Sequence, residues 1–204
     1  MARRNDHSRE QLKELALIAG EQLIDEQGLS ALSTRKIANQ IGYSVGTLYL
    51  IFNNLDDLCW HINARSMAKL DEQLSANIGS EKAQDPCKTL QIIAYSYLDF
   101  ASRWPNRWAL MFEHHTSDEV SSPQWLDEAI EKLFLYVSQP LRALNPSASD
   151  ASLTLATRSL WCAMHGIAAL NSQGKLFLTG IGREPLVNDL LTRYLSSWQQ
   201  ETFA

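Results

Sequence analysis

Apolar residues recur at helical spacing along almost the whole chain. Leu12, Leu15, Ala16, Ala19 and Leu23 make one stripe of a first helix over about 8–27, with Ser8 as its cap and Gly28 as its stop. Ser33 then caps a short segment whose buried face is Ile37, Ala38 and Ile41, closed by Gly42. Ser44 caps a third short helix from Val45 to about Phe52, with Leu48, Ile51 and Phe52 apolar. A longer fourth helix starts at Asn53 or Asn54, carries Asp56 and Asp57 in its first turn, and repeats Leu58, Ile62, Leu70, Leu74 and Ile78 to about Gly79. Further helices are expected near 87–103, 105–115, 123–144, 150–178 and 185–200. Pro105, Pro123, Pro146 and Pro185 fall at starts or junctions, where proline is tolerated. Strand-like alternation is missing, so the expected fold class is all-α: a three-helix N-terminal unit, then a larger helical region, about nine helices in all.

Composition narrows this picture. The chain has 204 residues, 45% hydrophobic and 20% charged, ordinary for a globular protein with a core. Three cysteines, Cys59, Cys87 and Cys162, form no CxxC pair, which argues against a disulfide framework or structural zinc. The N-terminus lacks an apolar signal core, and no uncharged apolar run approaches the ~18 residues of a membrane span. A cytoplasmic protein is expected, with no membrane partner.

The net charge of −5 does not announce a polyanion binder, but its distribution permits one. No acidic residue lies between Glu26 and Asp56, and Arg35 and Lys36 sit inside that window. A surface that faces phosphates must first avoid carboxylates. The same window holds a short helix, a glycine turn and a second short helix, the order that sets a recognition helix in a major groove. Ser44, Val45, Gly46 and Thr47 open that helix with small residues, and Gly46 removes a side chain where backbone and duplex approach. Thr47 offers a hydroxyl and a methyl, while Tyr43 and Tyr49 offer phenolic hydroxyls for phosphates. The DNA-contacting candidates are Arg35, Tyr43, Ser44, Val45, Gly46, Thr47 and Tyr49.

Thr34-Arg35-Lys36-Ile37-Ala38, then Gly42-Tyr43-Ser44-Val45-Gly46-Thr47-Leu48-Tyr49, then Phe52 and Leu58, resemble the N-terminal signature of the TetR family of bacterial regulators. The resemblance covers about residues 8–60. It implies a homodimer, a double-stranded operator with two half-sites, and an inducer pocket in the C-terminal region. It also implies a helix-turn-helix domain over 1–54 and a ligand-binding and dimerisation domain over 55–204, connected by the long helix 55–79. Three positions depart from the family pattern. Ile51 stands where a basic or aromatic residue is usual, Leu55 replaces a phosphate-contacting lysine, and Val45 fills an often basic position. DNA affinity would then lean on Arg3, Arg4, Arg35 and Lys36.

Downstream, aromatic density marks a site for a small apolar or aromatic effector, with Tyr95, Phe100, Trp104, Trp108, Phe112, Trp125, Trp161 and His165 as candidate ligand contacts. Leu160 to Gly166 resembles the Trp-x-x-x-His-Gly segment of one TetR sensor subgroup. In the eighth helix Leu153, Ala156, Leu160, Ala163, Ile167 and Leu170 alternate steps of three and four. Beside them runs a mostly small stripe of Leu155, Ser159, Cys162, Gly166 and Ala169 that lets another helix come close. With Leu190, Tyr194 and Trp198 of the last helix, the residues Ser159, Cys162, Gly166 and Ala169 form the expected dimer interface.

No catalytic constellation, cofactor motif or metal site is expected. Adjacent His114 and His115 point to different helix faces, and Gly180-Ile-Gly182 falls short of a nucleotide fingerprint. The expected function is a ligand-responsive repressor in which effector binding moves the fourth helix and spoils the spacing of two recognition helices. The alternative is a helical small-molecule-binding or interaction protein with weak or lost DNA affinity.

Overall fold

A computed structural model describes residues 7–80, 85–114, 121–176 and 182–200. Among these residues the chain is helical, with nine α-helices and no strand: α1 Arg9–Gln27, α2 Thr34–Ile41, α3 Val45–Leu48, α4 Leu55–Ser80, α5 Pro86–Arg103, α6 Pro105–Glu113, α7 Gln124–Leu144, α8 Asp150–Ser172 and α9 Arg183–Gln200. No described helix is long and apolar enough to cross a membrane. The elements fall into two compact units, residues 1–67 with 104–127, and residues 68–103 with 128–204.

In the first unit, local capping sets the boundaries. Ser8 and Gln11 bond reciprocally across the start of α1, the Ser8 hydroxyl accepting from the Gln11 N–H and the Ser8 N–H donating to the Gln11 side chain. Gly42, at φ 76°, closes α2 so that the Tyr43 N–H reaches the Ala38 carbonyl at 2.9 Å, a turn that only glycine makes without strain. Asn54 caps α4, accepting from the Asp57 N–H at 2.8 Å, while the Asp57 carboxylate accepts from the Asn53 N–H at 2.9 Å. Between these caps Ile37, Ala38, Leu48, Phe52, Leu58 and Ile62 pack with Ala16 and Ile24 of α1. Each large aliphatic side chain sealed there contributes about 2–3 kcal/mol.

The same unit takes in α6. Leu110 is fully buried in that core. Arg107 of α6 is only 6% exposed and forms a two-pronged ion pair with Asp25 of α1, at 2.8 and 2.7 Å. It also lies 3.3 Å from Glu21. Arg65 of α4 joins the cluster through Glu14 at 2.7 Å and Glu21 at 2.8 Å. Three carboxylates of one helix are thus held by two guanidinium groups from two others.

In the second unit α5, α8 and α9 pack around Leu90, Leu98, Phe100, Leu160, Met164 and Val187. Helix α7 continues through Pro140, which removes one backbone donor from its interior. Next to the proline, Leu141 is fully buried and its carbonyl accepts from the Trp198 indole N–H at 2.8 Å.

Two expected helix ends differ. Helix α3 stops at Leu48 instead of Phe52, because Leu50 and Ile51 bond three residues back, to Thr47 and Leu48, and tighten the coil into a turn. Helix α8 stops at Ser172 instead of 178. Gly174, at φ 64°, donates to the Asn171 carbonyl while the Lys175 N–H reaches that of Leu170, a glycine-based terminus.

Candidate nucleic-acid interface

The segment from α2 to the start of α4 presents a polar edge over a sealed floor. Leu48 is 1% exposed and anchors α3 on Ile37. Arg35, Lys36, Ser44, Gly46, Tyr49 and Leu50 face solvent, while Tyr43 and Thr47 are half-buried. An added Cβ at Gly46 would meet only the Ser44 hydroxyl, at 3.7 Å, so the chain itself leaves that surface open.

Several of the hydroxyls are already engaged. Ser44 caps α3, accepting from the Thr47 N–H, and its Oγ lies 2.8 Å from the Thr47 hydroxyl. The Tyr43 hydroxyl lies 2.7 Å from Nδ1 of His7, which ties the start of the chain to the turn before α3. Val45 does not join the exposed set. It is half-buried and packs against the core, as do Ile51 and Leu55. An apolar side chain at the edge of a core gains by covering it, and the half-buried Val45 keeps only part of its surface for a contact. Arg3 and Arg4 lie outside the described residues.

A second group of charges sits behind this segment. His61 of α4 stacks on Trp125 with ring centres 4.8 Å apart, and its Nε2 lies 3.0 Å from the Lys13 ammonium and 3.5 Å from Asp57. Burial, then Lys13, pulls its pKa below the usual histidine value, against the opposing pull of Asp57. Cys59, two residues earlier in α4, is buried in the core, and burial pushes its thiol up to about 12. His114 lies 2.8 Å from the Asp56 carboxylate, while His115 lies outside the described residues. Among the described residues no cluster of three or more His, Cys, Asp or Glu side chains is placed to hold a metal ion.

The expected effector contacts do not gather in one unit. Trp104, Trp108, Phe112 and Trp125 lie in the first, where Trp108 is buried and Trp125 covers His61. Tyr95, Phe100, Trp161 and His165 lie in the second. Phe100 is fully buried core, and the Tyr95 hydroxyl donates to Asn188 at 2.7 Å. His165 bonds the Tyr97 hydroxyl at 2.9 Å and lies beside the Trp161 ring, with centres 5.3 Å apart. Burial lowers the His165 pKa. Aromatic density alone does not say which aromatics share a core: four of the eight lie in each unit.

On α8, Ser159 and Cys162 are exposed and Gly166 and Ala169 half-buried. Between α8 and α9 lies an open groove of about 530 Å³, lined by Ala163, Ile167, Leu186, Leu190 and Tyr194 among others. The Tyr194 hydroxyl donates to the Ala156 carbonyl and joins the two helices. Trp198 is 4% exposed and spends its indole N–H on Leu141, so it belongs to the interior of its own chain. Its expected place on a partner-facing surface is withdrawn.

With this geometry in place, comparison with known proteins decides the family. Residues 16–59 match the family described as "Bacterial regulatory proteins, tetR family". Residues 90–194, more than half the chain, match "Tetracyclin repressor-like, C-terminal domain". The chain belongs to the TetR family.

Among relatives, an HTH-type transcriptional regulator of Staphylococcus aureus strain USA300 is 33% identical over 60 residues, 29% of this chain and 30% of the relative. The chain thus spans under a third of the length of the curated relatives it matches. Solved structures cover far more. A Rhodococcus sp. RHA1 protein of unknown function superposes with TM-score 0.75 at 17% identity, over 98% of this chain and 100% of that one. A Streptomyces coelicolor tetR-family transcriptional regulator gives 0.66 at 18% identity, over 95% and 83%. At such identities the likeness establishes the fold alone. Two features of this TetR-family chain escaped the sequence reading. One is exposed Leu50. The other is the Arg65–Arg107 cluster, for which the one available signal was Glu14, Glu21 and Asp25 at helical spacing along α1.

Proposed function

We propose that this TetR-family protein is a DNA-binding transcription regulator that occupies a two-half-site operator as a homodimer and represses until a small apolar or aromatic effector releases it. The carrying observation is the exposed Arg35–Leu50 surface on a helix-turn-helix, in a stretch with no carboxylate between Glu26 and Asp56. Residues 1–54 serve DNA binding and 55–204 serve dimerisation and effector binding. Within the second unit, Tyr97, Phe134, Trp161 and His165 support the effector role: two rings and a histidine in contact, with a phenol bonded to the imidazole. The protein acts in the cytoplasm, where its operator is, and without catalysis.

The dimer rests on α8 and α9. An added Cβ at Gly166 meets nothing within 4 Å. A side chain can therefore leave the backbone there without an immediate clash, and a glutamate tests for a partner helix lying against it. Gly166→Glu is expected to keep its helical circular dichroism, run as a monomer in light scattering and lose operator binding; an intact dimer refutes the interface. The operator is sought by gel shift with DNA upstream of the protein's own gene across a salt series. Specific binding that weakens as salt rises supports regulation, because Arg35 and its neighbours displace counterions. A second reading, a sensor whose DNA affinity is lost, draws on the apolar packing of Val45, Ile51 and Leu55. It requires that no duplex bind even in dilute buffer.

A further inference from the structure

We propose that Leu50 reads thymine methyl groups in the operator half-site, which makes it a specificity-determining residue of this interface. The inference rests on the DNA-binding reading above and adds how sequence is read.

Leu50 is 60% exposed and its neighbour Tyr49 is 52% exposed, two consecutive large side chains held in water just past α3. The turn fixes them there: Leu50 and Ile51 bond back to Thr47 and Leu48 at 3.2 and 2.9 Å, and Leu48 and Phe52 on either side are locked in the core. The remaining reading groups of the segment are short of free hydrogen-bonding capacity. Ser44 and Thr47 hold each other, Tyr43 holds His7, and Val45 covers the core. Beyond the charges of Arg35 and Lys36 and the Tyr49 hydroxyl, the most exposed large side chain of the turn is Leu50, and it is apolar.

In a major groove, the apolar feature a side chain can recognise on a base edge is the C5-methyl of thymine. A leucine that meets it buries both from water and discriminates thymine from every base that lacks the methyl. The charge pattern selects DNA as the occupant of this surface. The chain around Leu50 carries Arg35 and Lys36 and no carboxylate from residue 27 to 55, a bias that suits a polyanion.

The test isolates the methyl group. Duplexes bound by the parent protein are selected from a randomised pool, and each thymine of the selected half-site is replaced in turn by deoxyuridine, which removes the methyl and nothing else. At one or two positions the parent is expected to lose about fourfold in affinity per methyl, the worth of one buried carbon group. Leu50→Ala is expected to bind the thymine duplex more weakly by a similar factor and to be indifferent to uracil there. Leu50→Met, still long and apolar, retains most of the discrimination. The proposal is overturned if uracil costs the parent nothing at any position, or if Leu50→Ala pays the same penalty as the parent. Should the parent select no duplex even at low salt, the regulator reading falls and takes this inference with it.

Discussion

Replacing Arg107 by methionine tests how the first unit is held together. The guanidinium is almost fully buried, makes two short bonds to Asp25, approaches Glu21 and lies 5.2 Å from the centre of the Trp104 ring. Removing one partner of a buried ion pair costs about 3–5 kcal/mol, because the other charge is left behind. Two features set the expected value at the lower end. Glu21 keeps Arg65 at 2.8 Å, and the Asp25 side chain is 30% exposed, so water takes up part of the orphaned charge. A loss of about 3 kcal/mol follows. In urea this is a fall of about 1 M in the midpoint, taken at one fixed protein concentration so that dimerisation does not confound it. Tryptophan emission is a suitable probe, since Trp60, Trp104, Trp108 and Trp125 of the six tryptophans lie in this unit. Asp25→Leu combined with Arg107→Met leaves no orphaned charge and is expected to recover at least half of the loss. A single-variant loss below about 1 kcal/mol, or a double variant no better than the single, refutes the assigned role of the pair.

Two further outcomes follow from titratable groups. Since the His61 pKa is lowered in the folded state, protonation is costlier there than in the unfolded chain; the contribution is fully present above the ordinary 6.5 and is lost as pH falls from there toward the lowered value. His61→Gln should therefore flatten the fall in urea midpoint between pH 7 and 5, and a slope equal to the parent's counts against the reasoning; His165, shifted the same way, supplies the residual slope. With Cys59 sealed and its pKa at about 12, and Cys162 exposed, iodoacetamide at pH 8 is expected to label Cys162 in the folded protein and Cys59 only in denaturant, read by peptide mass. Equal labelling of both in the folded state contradicts the burial of Cys59, whereas slower labelling of Cys162 at high protein concentration supports its place on the dimer face.

The N-terminal helices were legible because their signals are local. A cap and the group it bonds stand three residues apart, and Gly28 and Gly42 mark stops by a backbone conformation that other residues avoid. Tertiary partners carry no such mark. Arg107 finds Asp25 across 82 positions, and nothing in the residues around Arg107 says that α6 packs on α1. Trp198 continues the apolar face of α9 and so looks the same in sequence whether it faces a partner or its own core. Its partner, the Leu141 carbonyl, lies 57 positions away beside Pro140. Aromatic residues were visible as a population, but their division between two units depends on where each helix docks.

The same distinction explains the three departures from the family pattern. In sequence, Val45, Ile51 and Leu55 read as lost phosphate contacts. In the fold each covers the edge of the core, so their loss of charge is also a gain in packing under the recognition turn. Leu50 stands among them in sequence but is held out in water by the turn between Leu48 and Phe52. Apolar character at neighbouring positions therefore has opposite consequences: inward it fixes the platform, outward it leaves Leu50 exposed for the proposed base contact. Each phosphate contact forgone also removes about 0.9 from the salt slope of binding. Phosphate contacts position a protein on the duplex and carry no sequence information, so under the proposed DNA-binding reading discrimination falls to base-edge contacts, among which Leu50 is the proposed one.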